Sequence, residues 1–421
     1  MNNTAVIVEI KSIRKHNNAD RLQIVDIFGT QVITDLSTNV GDIMIYFDSN
    51  LKLSDSFLKN NNLYRTAELN SDKNKTGYFD DNGRVKAIKL KGEFSDGMLM
   101  PIDSLNFISK KLSDILIPGF EFNDISGEKI CEKYIKPLPK SSSGSGSNKK
   151  NSGRVKAFIS PMFVEHWDTG QFFKNQHTIP PHSICYIEEK VHGTSNRIGR
   201  VLINKYPLLP WWRRKLMKLI FNKEEYYEYD YIGGTRRVVQ NKFYKDKNKH
   251  DTAFHDNNMR DQTLDSVRGL LDKGMEVYSE IYGYETTGAE IQKGFPYGCR
   301  PKTYKNLLYR VTMNNEDGKV IDYSREYVYK KAVELGMEVP QLFEKYYYDG
   351  TEESMKMLEE KAIQYAQGQS TLDQNTLKEG VVIWFINNKG NWDCLKYKSD
   401  TFRLKESSNK DKGIVDMEDT L

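Results

Sequence analysis

Five charged residues, far apart in the chain, have types and settings that suit chemistry at a phosphate. Lys190 closes the apolar run "CYIEEK" and is followed by Val191, His192 and Gly193. Glu280 lies inside "VYSEIYG", Glu379 opens "KEGVVIW", and Lys396 and Lys398 stand two apart in "CLKYKSD". A lysine attacks only when deprotonated, so Lys190 needs a site whose desolvation or neighbouring cations pull its pKa down. Lysines at i and i+2 of a strand point to one face and present two cations to one place. Glutamates beside buried strands are poor core residues unless they meet a metal or a cation. The set suits displacement at a triphosphate. Glu280 and Glu379 would hold a hydrated divalent ion, Lys396 and Lys398 would offset charge on the α-phosphate, and Lys190 would attack in line. The tetrapeptide KVHG taken alone is also compatible with an ordinary turn lysine.

These residues need elements to hold them. From Arg154 the pattern predicts strands near 183–190, 197–203, 277–283, 306–313, 380–386 and 392–398, and helices near 324–336 and 351–367. In the second helix Met355, Leu358, Ala362, Tyr365 and Ala366 share one face, with Thr351 as its cap and glutamates in its first turn. The first hundred residues read instead as about five short strands with one buried face. Val6, Val8 and Ile10 alternate with their neighbours, as do Ile43, Ile45 and Phe47, and Ile88 and Leu90. That pattern suggests a small barrel of OB type, either binding nucleic acid or only supporting its neighbour.

The stretch "PLPKSSSGSGSNKKNSG" marks the best domain boundary. The expected organisation is an OB-like module at 1–105, a connector with a flexible linker at 106–153, the site-bearing domain at 154–405 and a solvated tail at 406–421.

The 421 residues suit two domains, and 38% hydrophobic with 12% aromatic residues is enough for real cores. A net charge of +4 says little about partners until local patches are considered. Cys131, Cys185, Cys299 and Cys394 form no CxxC pair and no zinc spacing. With no apolar run of membrane-spanning length, the reading is a soluble protein of a reducing compartment, the cytoplasm, without a membrane partner or an evident obligate protein partner.

In order and spacing the five residues resemble the covalent nucleotidyltransferase superfamily of DNA ligases, RNA ligases and capping enzymes. Lys190-Val191-His192-Gly193 matches its first motif, Glu280 its third, Glu379 its fourth, and Lys396 with Lys398 its fifth. His192 followed by Gly193-Thr194 looks like an RNA ligase. The stretches "NNADRLQIVDI", "VGDIMIYFDS" and "GRVKAIKLKGEFSDGML" look like the N-terminal module of the fifth RNA ligase family. The resemblance implies an α+β protein: an OB-like barrel followed by an ATP-grasp-like, antiparallel nucleotidyltransferase domain of ligase type. It further implies ATP as co-substrate with Mg²⁺ or Mn²⁺, and sealing of 3′-OH to 5′-phosphate RNA ends at duplex nicks through lysyl-AMP and an adenylylated 5′ end. By the same resemblance Glu189, His192, Gly193, Lys396 and Lys398 contact the nucleotide. Alternatives are a DNA ligase, a GTP-using capping-type enzyme, and a non-catalytic RNA-binding protein on a ligase scaffold.

Three further assignments rest on the resemblance. Ser195 stands where many ligases have arginine, which brings Arg197 forward as the nucleotide contact. Thr235-Arg236 looks like a Ser-Arg segment at the nucleotide or the 5′-phosphate, with Arg237 competing. Tyr309 is placed to stack on adenine, or is a core tyrosine. Finally, residues 196–223 hold eight Lys or Arg and no Asp or Glu around "WWRRKLMKLIF". This segment reads as a nucleic-acid backbone contact, or as an amphipathic helix docked on the domain or lying on a membrane surface.

Overall fold

A computed structural model describes residues 4–135, 161–236, 239 and 257–414. They form two compact units, one from the described residues up to 135 together with 398–414, the other from 161–397. The Ser/Gly-rich stretch and Arg237 lie outside the described residues.

In the first unit, β1 (Ala5–Glu9), β2 (Ile43–Phe47), β3 (Met98–Pro101) and β4 (Glu121–Phe122) form a sheet in the order β4-β1-β2-β3. A second sheet joins Ile13–Lys15, Leu22–Ile27 and Thr30–Asp35. The expectation of one buried face is corrected for the central strands. Ala5, Ile7, Ile45 and Phe47 pack with Leu51, Phe57 and Leu58, whereas Val6, Val8, Met44 and Tyr46 pack with Val25 and Val32. A strand covered on both sides shows a continuous apolar run, so alternation is a poor guide here. Ile88 and Leu90 are exposed instead of buried. The connector is not a separate segment, because β4 pairs with β1 and Cys131–Lys133 pairs with Leu51–Leu53.

From Ser183 the second unit runs through β5 (Ser183–Lys190), β6 (Thr194–Asn204), α1 (Trp211–Phe221), β7 (Tyr227–Gly234), β8 (Met275–Gly283) and β9 (Tyr304–Asn314). It continues through α2 (Arg325–Leu335), β10 (Leu342–Tyr348), α3 (Glu352–Ala366), β11 (Gly380–Ile386) and β12 (Trp392–Lys398). One sheet has the order Gly170–Gln171, β12, β11, β5, β10, and the other β7, β6, β8, β9, Val320–Asp322. All pairings except that of Gly170–Gln171 with β12 are antiparallel. Helix α3 is capped by Thr351, whose Oγ1 accepts from Ser354 N at 3.1 Å. It buries Leu358, Ala362 and Ala366 against Ile187, Val381 and Ile383. Helix α2 places Val328, Ala332 and Leu335 against Ile198, Val277 and Leu308. Each helix thus covers one sheet face and leaves the strand ends to carry chemistry.

After β12 comes α4 (Asp400–Asp411), capped by Ser399. It packs within the first unit. The buried Arg84 donates to Asp411 Oδ1 at 2.9 Å and to Ser407, and Arg403 pairs with the buried Asp96. The solvated tail expected from 406 is therefore helical and partly buried to residue 411. Of its charged residues, Asp411 meets Arg84 and Glu406 meets Lys398.

Candidate active site

Strand β5, paired on both sides, delivers Lys190 at its C-terminal end through seven residues of which only Ile184 is exposed. Consecutive residues alternate faces, so Glu188 and Glu189 point opposite ways and must be satisfied separately. Arg325, the first residue of α2, meets Glu188 with its Nε at 2.9 Å and Nη2 at 2.7 Å, and Tyr329 also donates to it. Burial raises the Glu188 pKa and the Arg325 charge opposes that rise. On the other face, Glu189 accepts from Thr371 N at 3.0 Å and from the hydroxyls of Ser370 and Thr371. Both Glu189 oxygens thus fasten the turn that precedes β11.

Lys190 pairs across the sheet with Gly380, which sets the preceding residue, Glu379, beside it. The Lys190 Nζ donates to Glu379 Oε2 at 2.8 Å, and His192 Nδ1 lies 3.8 Å from the same oxygen. Glu379 is 2% exposed at its side chain and Lys190 23%, so the lysine is the member of the pair that a ligand can reach. A carboxylate at this distance favours the ammonium form, the opposite of what attack requires.

The turn after Lys190 is held at three points. His192 N donates to Tyr297 OH at 2.8 Å, Gly193 N to Glu280 Oε1 at 2.9 Å, and Gln292 Nε2 to Gly193 O at 2.8 Å. A Cβ on Gly193 would fall 2.2 Å from Ile281 O, which explains the glycine of the motif by close approach of two backbones. Glu280 on β8 and Glu379, just ahead of β11, therefore clasp the 190–193 turn. Among the described residues no group of three or more His, Cys, Asp or Glu is placed to hold a metal. Two carboxylates with the remaining positions filled by water suit Mg²⁺ or Mn²⁺, which prefer oxygen donors.

Lys396 and Lys398 lie on β12, both partly exposed. Lys398 donates to Glu406 at 3.1 Å. Arg236 donates to Trp167 O at 3.0 Å and pairs with Asp168. Tyr309 joins an aromatic cluster with Trp167, Tyr186 and Trp384 and meets the His166 ring edge-on at 5.3 Å, contacts of a packed tyrosine. Arg197, expected at the nucleotide, is instead a buried structural residue. Its Nε donates to Thr235 O at 2.8 Å, its Nη1 lies 3.8 Å from Glu276 Oε1, and it stacks over Phe163. The register explains the swap. Ser195, not Arg197, stands opposite Glu280, and Arg197 falls opposite Tyr278, further along the strand.

His166 was not a sequence candidate. It packs against Trp167 and Tyr278, with Nδ1 3.4 Å from Arg310 Nη1. Burial, reinforced by Arg310, Arg236 and Lys396, holds it well below the ordinary histidine value. Two of those three cations are predicted site residues, so positive charge is concentrated here. Arg310 is itself buried between Trp167 and Tyr278 and paired with Asp322 at 2.6 Å. Tyr297 and Gln292 were also missed. They sit in the irregular 284–303 segment, where no periodicity singles out a residue.

A family model described as an OB-fold domain matches residues 4–102. No curated protein sequence matches. Among solved structures the chain is similar to Naegleria gruberi RNA ligase. An unliganded alanine mutant aligns with a TM-score of 0.59 at 15% identity, covering 97% of this chain and 100% of that one. The form with PPi gives 0.58 at 16%, covering 97% and 100%. Another alanine mutant, with ATP and Mn, gives 0.57 at 15%, covering 97% and 99%. The chain thus has an N-terminal OB fold and a mostly antiparallel α+β domain with the nucleotidyltransferase fold of those ligases.

Proposed function

We propose that this chain is an ATP-dependent RNA ligase that seals 3′-OH and 5′-phosphate ends at duplex nicks, working in a reducing compartment such as the cytoplasm. The observation that carries the reading is the convergence of Lys190, Glu379 and Glu280 on one four-residue turn. Its support is the likeness to RNA ligase structures holding ATP and Mn, AMP and Mn, or PPi. The described cysteines are free, and no described helix is long and apolar enough to cross a membrane.

A divalent cation bound by Glu280 and Glu379 would supply positive charge at the α-phosphate and compete with Lys190 for Glu379. Lys190, having lost its proton to solvent, attacks the α-phosphorus of ATP. A P–N bond forms, the P–O bond to the β-phosphate breaks, and pyrophosphate leaves. Lys396 and Lys398 hold the α-phosphate oxygens, and Arg236 stands ready for the nucleotide or the 5′ end. The 5′-phosphate then displaces Lys190 from AMP, and the 3′-OH displaces AMP to close the strand. Tyr297, Gln292 and Glu280 keep the turn in place, which is what in-line geometry demands.

The test is covalent labelling with α-labelled ATP and Mg²⁺ or Mn²⁺. The wild-type protein acquires acid-labile label from ATP and not from GTP, and Lys190→Ala acquires none. Labelled protein then seals a nick only with RNA at the 3′-OH side. Label on Lys190→Ala, or none on the wild type, overturns the enzymatic reading in favour of a binding protein on a ligase scaffold. Transfer from GTP, or sealing with DNA at that side, overturns the RNA ligase.

A further inference from the structure

Strands β6 and β7 pair from Arg197 with Gly234 to Asn204 with Tyr227, and beyond Gly199, where β6 leaves β8, they continue as a two-stranded ribbon with α1 in the connection at its end. The base of that connection is closed. Asn204 Oδ1 accepts from Tyr206 N and Tyr226 N, and Lys205 N donates to Tyr226 O. Helix α1 itself has no buried residue, and only Met217 is partly covered. The docked-helix reading of this segment is therefore excluded.

What the helix presents is an exposed apolar stripe bordered by cations. Trp212, Leu216, Leu219 and Ile220 recur at i, i+4, i+7 and i+8 and form one stripe, 48–82% exposed. Arg213 and Lys215 flank that stripe, and Arg214 and Lys218 lie across from it beside the exposed Trp211 and Phe221, with Lys218 paired to Glu224 beyond the helix end. The helix has 11 residues, no side-chain cap and no acidic residue in its first turn. A helix this short is marginal in water without a face to bury. The backbone of a nucleic acid would engage the cations and leave the apolar stripe in water. An anionic lipid surface uses both, taking the stripe into the boundary between headgroups and acyl chains and the cations at the headgroups.

We propose that α1 is a membrane-surface anchor that lies in the interfacial plane of bilayers containing anionic phospholipid. The anchor is independent of the ligase reading. It recruits the protein to a lipid surface without crossing it.

Flotation of the full chain with vesicles tests this, using phosphatidylcholine alone against phosphatidylcholine with phosphatidylglycerol. The protein floats with the anionic vesicles and not with the neutral ones. Leu219→Ser with Ile220→Ser abolishes flotation. Arg214→Gln, Lys215→Gln and Lys218→Gln together lower the partition coefficient on the order of a hundredfold. Circular dichroism melting, unchanged in both variants because the residues are exposed, separates lost anchoring from lost folding. Three results overturn the anchor: no flotation of the wild type, loss of nicked-RNA binding in the Leu219/Ile220 variant in place of vesicle binding, or a wild-type dimer that this variant renders monomeric.

Discussion

Lys190 and Glu379 form an ion pair at 2.8 Å, which in the proposed reaction sets the attacking amine against the carboxylate assigned to the metal. In that reaction a cation bound by Glu280 and Glu379 would take the carboxylate over from Lys190. Glu379→Gln keeps a hydrogen-bond partner for Lys190 but removes the metal's charge partner. It should lower the single-turnover rate of AMP adduct formation by about a hundredfold or more, with little change in melting temperature. Removing divalent ions with a chelator should have the same effect on the wild type. A variant with wild-type rate would exclude Glu379 from the metal role.

Gly193 has no room for a side chain, because Ile281 O would lie 2.2 Å from its Cβ. Gly193→Ala should push the turn off β8, break the bond from Gly193 N to Glu280, and cost about 1–3 kcal/mol of stability. Urea denaturation measures the cost. Adenylylation should fall further than the folded fraction does, since Lys190 shares that turn. Equal losses would show the turn to be structural only.

The buried pair of Glu188 and Arg325 anchors the strand that carries Lys190. Arg325→Ala leaves an uncompensated buried carboxylate and should cost about 3–5 kcal/mol, whereas Glu188→Leu with Arg325→Met should recover much of it. Chemical denaturation of the two variants gives the comparison. If the double variant is no more stable than the single, lost packing and not the stranded charge sets the cost.

His166 is held neutral in the fold, so the unfolded chain binds more protons than the native one once the pH falls below about 6.5. Its contribution is present above that pH and is lost as the pH falls toward its lowered native value, by up to about 1.4 kcal/mol per pH unit. Glu276, which burial pushes up to about 7, acts oppositely and gains stability as the pH falls from there toward 4.5. The difference between wild type and His166→Gln isolates the histidine. The variant should lose less stability than the wild type between pH 6.5 and 5, measured by denaturation at each pH. Parallel curves would contradict the assignment.

Much of the site could be read from the sequence because its residues lie on strands with strong local signals. The apolar runs ending at Lys190 and beginning at Gly380 are strands with the expected bounds, and β12 carries Lys396 and Lys398 on one face. Residue type and spacing pointed to Lys190, Glu280 and Glu379, which meet at the 190–193 turn, and to Lys396 and Lys398, which share a strand face.

Tertiary structure decided the rest, because cross-strand register and long-range packing leave no local trace. Register put Ser195 opposite Glu280 and sent Arg197 into the core with Glu276. Packing recruited Tyr297 and Gln292 from an irregular loop and enclosed His166 among arginines and aromatics. It also bound α4 to the N-terminal unit through Arg84 and Arg403, where composition alone suggested a solvated tail. A charged side chain looks the same in sequence whether water or a buried partner satisfies it, and only the fold says which.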